Sequence, residues 1–306
     1  MAQASREIKR RIKSIKSTGK ITKAMEMVSA VKMRKAVDHM LASRSYANLA
    51  WEIVSDLSKR TNRAHHDLLK ERPVKKIAVV LIASNRGLCG SFNAQIVTSA
   101  YRYAREQSLG EMPKIEFILL GKKSKDIVWK YKQEAVAEFD KPDVTLKVEE
   151  IYALSKMVID GYREGKYDRV ILAYTDYVSS LKQMPRIKQL LPIAKEKDTS
   201  LGAVGEVKGK KNERPEDLRE YLFEPNAESV LEKTLPRLIE TQIYQAVLES
   251  DASEHSARMV AMKNATEAAH DLISDLTLAY NQARQAGITQ EIAEISGTKA
   301  AMSSAD

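Results

Sequence analysis

The sequence predicts an α/β protein in which a long N-terminal helix and a long C-terminal helix pair as an antiparallel coiled coil around an inserted, compact α/β domain. Apolar residues recur every three or four positions at both ends of the chain, and short apolar runs alternate with helical patterns between them. Each element follows from one of these two periods.

At the N-terminus the apolar positions are Ile8, Ile12, Ile15, Ile21, Met25, Val28 and Val31, then Val37, Met40 and Leu41. No proline precedes Pro73. A single helix of about 55 residues is therefore allowed, on the order of 80 Å long at ~1.5 Å per residue. A helix of that length cannot satisfy its apolar stripe alone and needs a partner along it. The basic start, Met1 to Lys16, resembles a targeting peptide in composition, but the helical pattern continues past it without a cleavage-like break and is read as mature structure.

The character changes at Pro73. Lys76 to Ser84 is a nearly continuous apolar run of the kind found in a buried parallel strand. Asn93 to Gln107 reads as a helix, Lys114 to Gly121 as a second strand, Lys122 to Tyr131 as a short helix and Val136 to Phe139 as a weak strand. Leu146 to Gly165 is helical in pattern, and Arg169 to Asp176 is another buried strand. Strands alternating with helices imply right-handed crossovers within residues 74–195. Residues 196–216, rich in Lys, Gly and Glu, lack any period and read as an exposed loop.

A helical stripe restarts at Val230, Leu231, Leu235, Leu238, Ile239, Ile243 and Val247 and continues through Met259, Met262, Leu272, Ile273, Leu276, Tyr280, Ile288, Ile292 and Ile295. Pro236 is expected to kink it or to join two helices. The resulting division is a shaft helix over 1–60, the α/β domain over 74–195, the loop over 196–216, and C-terminal helices over 217–306 that complete the shaft.

Charge is segregated along this plan. Residues 1–35 carry eleven Lys or Arg against Glu7 and Glu26, an excess equal to the net +9 of the whole chain, whereas residues 247–306 carry nine acids against four bases. The two ends attract each other if paired, and the basic arm suits an acidic partner. With one cysteine, Cys89, no internal disulfide can form, and the residue reads as a small buried hydrophobe. No stretch reaches the ~20 apolar residues of a membrane span.

Signatures of catalysis are missing. Around Gly121-Lys122-Lys123-Ser124 the first glycine of a phosphate-binding loop would fall at Glu116, inside a strand, and Lys123 displaces the hydroxyl residue. The turn Ser84 to Gly90 is glycine-rich but lacks the dinucleotide spacing and reads as a tight turn. His65 and His66 are adjacent, point apart on a helix and read as surface residues. Neither Cys89 nor Glu149-Glu150 has a partner for nucleophilic or acid–base work. No cofactor, metal or catalytic residue is expected.

Two segments carry a resemblance: Gly19-Lys-Ile-Thr-Lys-Ala-Met-Glu-Met-Val-Ser-Ala-Val-Lys-Met-Arg-Lys35, and Glu249 to Thr266 with the tail Tyr280 to Ile292. They resemble the gamma subunit of F-type ATP synthases, bacterial type. The turn Arg86-Gly-Leu-Cys-Gly90 is also similar, with Asn85 where the family commonly has Asp and Ser91 where Gly is common. The resemblance runs end to end and implies a coiled coil of terminal helices with a Rossmann-like α/β domain between them.

It also implies a function. The family's coiled coil sits in a hexamer of alternating alpha and beta subunits, and its globular end rests with epsilon on the membrane ring of c subunits. Proton or sodium flow turns the ring, and the asymmetric shaft drives the three catalytic beta sites through their cycle and regulates ATPase activity. The chain itself is then a non-catalytic part, peripheral at the cytoplasmic face of the cell membrane. By resemblance, Lys20, Lys23, Lys32, Arg34 and Lys35 meet acidic levers of beta. Met25 lies at the shaft collar with Arg258 on the neighbouring helix, and Arg284, Gln285, Thr289 and Glu291 engage the hexamer. A single cysteine excludes the dithiol switch of chloroplast members.

Two other classes compete. A coiled-coil protein could bind nucleic acid through residues 1–35, but that segment interleaves no aromatic residues. An α/β enzyme with helical arms would bind nucleotide as the isolated chain.

Overall fold

The computed structural model describes residues 2–60, 66–106, 113–130, 135–193, 224 and 226–303. Predicted residues His65 and the loop 196–216 lie outside these. The first helix, α1, spans Ala2–Arg60 and the last, α5, spans Ala227–Ser303. Between them come β1 (Lys76–Ile82), α2 (Phe92–Glu106), β2 (Lys114–Leu120), α3 (Lys122–Lys130), β3 (Ala135–Phe139), a 3-10 turn (Val148–Ile151), α4 (Tyr152–Arg163), β4 (Arg169–Tyr177) and β5 (Gln183–Leu191).

Two compact units result, one of Met1–Val28 with Met259–Asp306 and the other of Ser29–Arg258. In the second, a five-stranded sheet runs in the order β3-β2-β1-β4-β5. β1 pairs in parallel with β2 and β4, and β2 with β3, which is the strand order of a Rossmann half. Only β5 is antiparallel, against β4. The sequence reading left β5 unassigned: its Pro185 and its interspersed Lys and Arg suit an edge rather than a buried run.

Alternation along the parallel strands builds two cores. Ile77, Val79 and Leu81 of β1 face Ile96, Val97 and Ala100 of α2 and Val128 of α3. Ala78, Val80 and Ile82 belong to the opposite core, with Leu154, Val158 and Tyr162 of α4, Ala36 and Met40 of α1, and Leu238, Ile239, Ile243 and Val247 of α5. The domain thus has helices on both faces of the sheet.

α5 runs through Pro236 without ending, so of the two sequence expectations the junction of two separate helices does not occur. Leu231 and Leu235 before it and Leu238 and Ile239 after it are buried in one core, and that packing outweighs the lost backbone bond. His66 lies in a turn rather than a helix and is half-buried, its Nδ1 accepting the Leu68 N–H at 3.2 Å.

Gly121 turns the chain from β2 into α3 at φ +97, where an added Cβ would collide with the Ala83 carbonyl. Gly121→Ala is therefore expected to destabilise the chain by about 1–3 kcal/mol through backbone strain and crowding. Urea unfolding checks this, and an unchanged midpoint would contradict the strain assigned to this turn.

In the first unit, the helices pair through small residues. The Thr22 and Thr266 hydroxyls meet at 2.8 Å, and a Cβ on Gly19 would lie 3.4 Å from that of Ala269. Residue numbers rise along α1 as they fall along α5, so the pairing is antiparallel. In this unit the buried residue of α1 at the seam is Thr22 rather than the whole predicted stripe, while Ser29, Ala36 and Met40 are buried within the second unit. Ile21, Val28 and Val31, read from sequence as partner-facing, are 58%, 54% and 63% exposed. A seam of small side chains brings backbones close, and the large residues beside it are left outside.

Candidate functional site: a charged crossing of α5 and the sheet loops

From Leu238 to Ser256 every residue of α5 is buried, including Glu249, Asp251, Glu254 and His255. A polar helix buried all round must find its partners within the chain. It finds them on the loops at the carboxyl ends of the parallel strands.

The loop after β3 supplies Lys141, whose ammonium pairs with Asp251 and, at 2.8 Å, with Glu254. The second Asp251 oxygen accepts the Thr145 N–H at 2.7 Å. His255 lies 2.6 Å from the Asp143 carbonyl through Nε2, and Tyr244 Oη donates to the Leu146 carbonyl at 3.0 Å. The loop after β1 receives Arg258, which donates to the Arg86 carbonyl at 3.0 Å, the Gly87 carbonyl at 3.3 Å and the Glu254 carboxylate at 2.9 Å. The hairpin after β4 is held by Ser256 Oγ, donating to the Ser180 carbonyl at 2.6 Å.

The two larger loops are also tied to each other. Asn85 Nδ2 donates to the Lys141 carbonyl. A carboxylate at this position could not make that bond. Lys32 of α1 closes the ring by pairing with Asp143 at 2.6 Å, and its ammonium holds the Asp143 carboxyl below the usual range.

The electrostatics follow from burial against pairing. Burial alone would lower the Lys141 pKa, but Asp251 and Glu254 together outweigh it and raise the value. Burial pushes Glu254 upward, yet Lys141 and Arg258 leave its carboxyl below the usual value. For Asp251 burial wins and the pKa rises. His255 is pushed down, chiefly by burial. Arg258 can only donate, so its contact with His255 Nδ1 at 3.1 Å makes that nitrogen an acceptor and leaves the proton on Nε2, facing the Asp143 carbonyl.

Open α/β sheets bind nucleotides in the crevice beyond the carboxyl ends of their strands. Here the chain's own helix lies across those ends. Among the described residues, no group of three or more His, Cys, Asp and Glu could hold a metal ion. Cys89 is buried, with its thiol accepting from Asn93 Nδ2 at 3.3 Å, and burial raises its pKa. Such a thiol is a poor nucleophile. No helix among the described residues is long and apolar enough to cross a membrane.

The sequence-predicted positions separate into two groups. Lys20, Lys23, Arg34, Lys35, Arg284, Gln285, Thr289 and Glu291 are exposed, and Met25 is half-buried. Lys23 bridges to Glu26 at 3.0 Å on its own helix. Arg284 and Glu291 line a groove of about 330 Å³ with Ser5 of α1. Arg258 and Lys32, by contrast, are engaged with their own chain at the crossing. Sequence reasoning missed Lys141, Asp143, Asp251, Glu254 and His255. The available signal was the run Glu249 to Ser256, whose acids and serines continue the apolar stripe of Leu238 to Leu248, so that a polar segment on a buried helix needs partners such as a cation for Asp251 and Glu254.

The fold is shared with solved chains of ATP synthase complexes. The fold matches a chain of the Euglena gracilis mitochondrial ATP synthase solved with OSCP, F1 and the c-ring, with a TM-score of 0.67 at 21% identity, covering 99% of this chain and 95% of that one. It also matches one from the central stalk and c-ring of the Tetrahymena thermophila mitochondrial enzyme, with a TM-score of 0.58 at 21% identity, covering 80% and 99%.

Sequence similarity is closer still. Residues 4–302 match the ATP synthase family. The ATP synthase gamma chain of Chloroflexus aurantiacus is 42% identical over 98% of this chain and 99% of its own, and that of Nitrosococcus oceani is 40% identical over 98% and 99%. The chain belongs to the ATP synthase gamma-chain family.

Proposed function

We propose that this chain is the central-stalk rotor subunit of a proton- or sodium-translocating ATP synthase. It couples rotation of the c-ring to the conformational cycle of three catalytic beta subunits and carries no active site of its own. The observation that supports this best is the exposed apolar surface of the paired helices. With Thr22, Thr266 and Gly19 forming the seam, Ile21, Met27 and Val28 of α1 are 54–58% exposed, and Leu272, Leu278, Ile288, Ile292 and Ile295 of α5 are 49–70% exposed. Apolar surface running along a free helix pair calls for a surrounding sleeve, and an alpha–beta hexamer provides one.

In this reading Lys20, Lys23, Arg34 and Lys35 make transient pairs with acidic groups of beta. Exposed pairs are individually weak and exchangeable, which lets a rotor leave each angle it visits. Met25 bears on the collar, and Arg284, Gln285, Thr289 and Glu291 engage the hexamer from α5. Arg258 and Lys32 act from within, by holding the crossing in shape. Epsilon and the c-ring bind the globular part, placing the chain peripherally at the cytoplasmic face of the cell membrane.

Co-expression with alpha and beta from the same source tests this. The expected result by native mass is one copy joined to three of each, with ATP hydrolysis strongly dependent on this chain. A chain that stays separate while binding DNA in a steeply salt-dependent manner, or binding nucleotide by itself, would overturn the reading.

A further inference from the structure

We propose that the Lys141–Asp251–Glu254 cluster is the torque-bearing joint between the sheet domain and α5, built in the crevice where an open α/β sheet would otherwise hold a ligand. The inference rests on the rotor reading above.

The geometry carries it. Tyr244, Asp251, His255 and Arg258 follow one another at seven, four and three residues, so they share a face of α5. Every one of them bonds to a loop at the carboxyl ends of the sheet strands: Leu146, Thr145 and Lys141, Asp143, and Arg86 with Gly87. From Asp251 to Arg258 the contact on this face is made of charge and directed hydrogen bonds. Elsewhere in the unit α5 packs through Leu238, Ile239, Ile243 and Val247.

That difference has a mechanical meaning. The hydrophobic term that holds apolar packing together is non-directional and assigns no fixed angle to a contact by itself. An ammonium held between two carboxylates, one fixed by the Thr145 N–H and the other by Arg258, resists displacement, because each shift lengthens a charged contact inside a medium of low polarity. Buried ion pairs add little net stability against apolar replacements of the same shape. Directional stiffness is what they supply here. Lys141 also lies on a loop clamped from behind by Asn85, so the cation cannot yield with its own backbone. A ring that turns the sheet domain would then turn α5 with it.

The test uses the whole reconstituted enzyme and reads ATP-driven ion pumping per ATP hydrolysed. The combined variant Lys141→Met, Asp251→Asn, Glu254→Gln removes the charges while keeping side-chain size and the Thr145 contact. Asp251→Asn alone is the milder form and decides the matter if the combined chain does not fold. Lys125→Met, which breaks an exposed pair with Glu138 at 2.8 Å, is the control. Hydrolysis is expected to persist, while the pumping ratio falls about ten-fold in the combined variant, within the usual range of a coupling between parts of a protein. Asp251→Asn should fall between it and wild type, and the control should match wild type.

A pumping ratio equal to wild type in folded, assembled Asp251→Asn and combined variants would overturn the joint while leaving the rotor reading intact. If the wild-type chain fails to join the hexamer at all, the rotor reading fails and the joint with it.

Discussion

Lys141→Met on its own lowers the stability of the isolated chain by about 3–5 kcal/mol, the cost of leaving a buried charge without its partner. Lys141 is 5% exposed, Asp251 is fully buried and Glu254 is 4% exposed, so no solvent can replace the missing ammonium. Arg258 still reaches Glu254 at 2.9 Å, but Asp251 keeps only the Thr145 N–H. The two carboxylates must then take up a proton or force the loop after β3 away from α5. The sign with pH distinguishes this from a packing defect. Lys141 has a pKa raised above its ordinary 10.5, so its contribution is complete at neutral pH and is lost only as pH climbs through the folded-state value. The deficit of the variant should shrink under acid conditions, where Asp251 can be protonated. Chemical denaturation at pH 7 and at pH 4.5 measures it. A deficit equal at both would mean that lost packing, not unpaired charge, is the cause.

The fold was legible because both of its periods are strong. Ile77 to Ile82 and Arg169 to Tyr177 could only be buried strands, and helices bounded by Pro73 at one end and by no late proline at the other had to be long. What escaped was decided by neighbours distant in sequence. β5 carries Pro185 and basic residues that a lone strand would not tolerate, yet pairing with β4 on one side only makes them acceptable. At Ile21 and Val28 the α1 stripe differs from the sequence expectation because the pair closes through Gly19 and Thr22, residues whose small size matters more than their polarity.

The site was legible only in part, for a related reason. Arg258 sits in a segment similar to a known family, so resemblance reached it. Lys141 lies 110 residues from Asp251, in a short loop whose sequence looks like any solvated turn. Nothing local marks it as buried. Buried together, Asp251 and Glu254 call for a cation nearby, but the sequence does not say which of the chain's 50 Lys and Arg it is. Long-range pairing of charges is set by topology, and topology is what a single sequence expresses least directly.

Glu249→Gln is expected to stabilise the chain, increasingly so as pH rises from 4.5 to 8. Glu249 is fully buried on α5, and burial first, then the Asp176 carboxylate, push its pKa up to about 8 against the lesser pull of Gln245, Arg186 and Lys188. Its Oε1 accepts from Gln245 at 3.2 Å, while its Oε2 and Asp176 Oδ1 have no hydrogen-bond partner among the described residues. Below pH 4.5 the folded and unfolded chains both hold the proton, and the folded state loses nothing. Between the ordinary value of 4.5 and the folded value of about 8 the unfolded chain has released its proton and the folded chain has not, so stability falls with each pH unit. Past the folded value the native chain must keep an uncompensated charge beside Asp176. The neutral amide avoids this and offers a donor where Oε2 stands, so the gain should reach roughly 3–5 kcal/mol above pH 8 at ~1.4 kcal/mol per pKa unit. Denaturation midpoints at pH 5, 7 and 9 measure the difference between the two chains. A difference that stays constant across that range would show that Glu249 is already ionised in the folded state. Such a result would require a counter-charge for it at the crossing, with Arg186, already 2.6 Å from Asp176, the side chain in position to supply it.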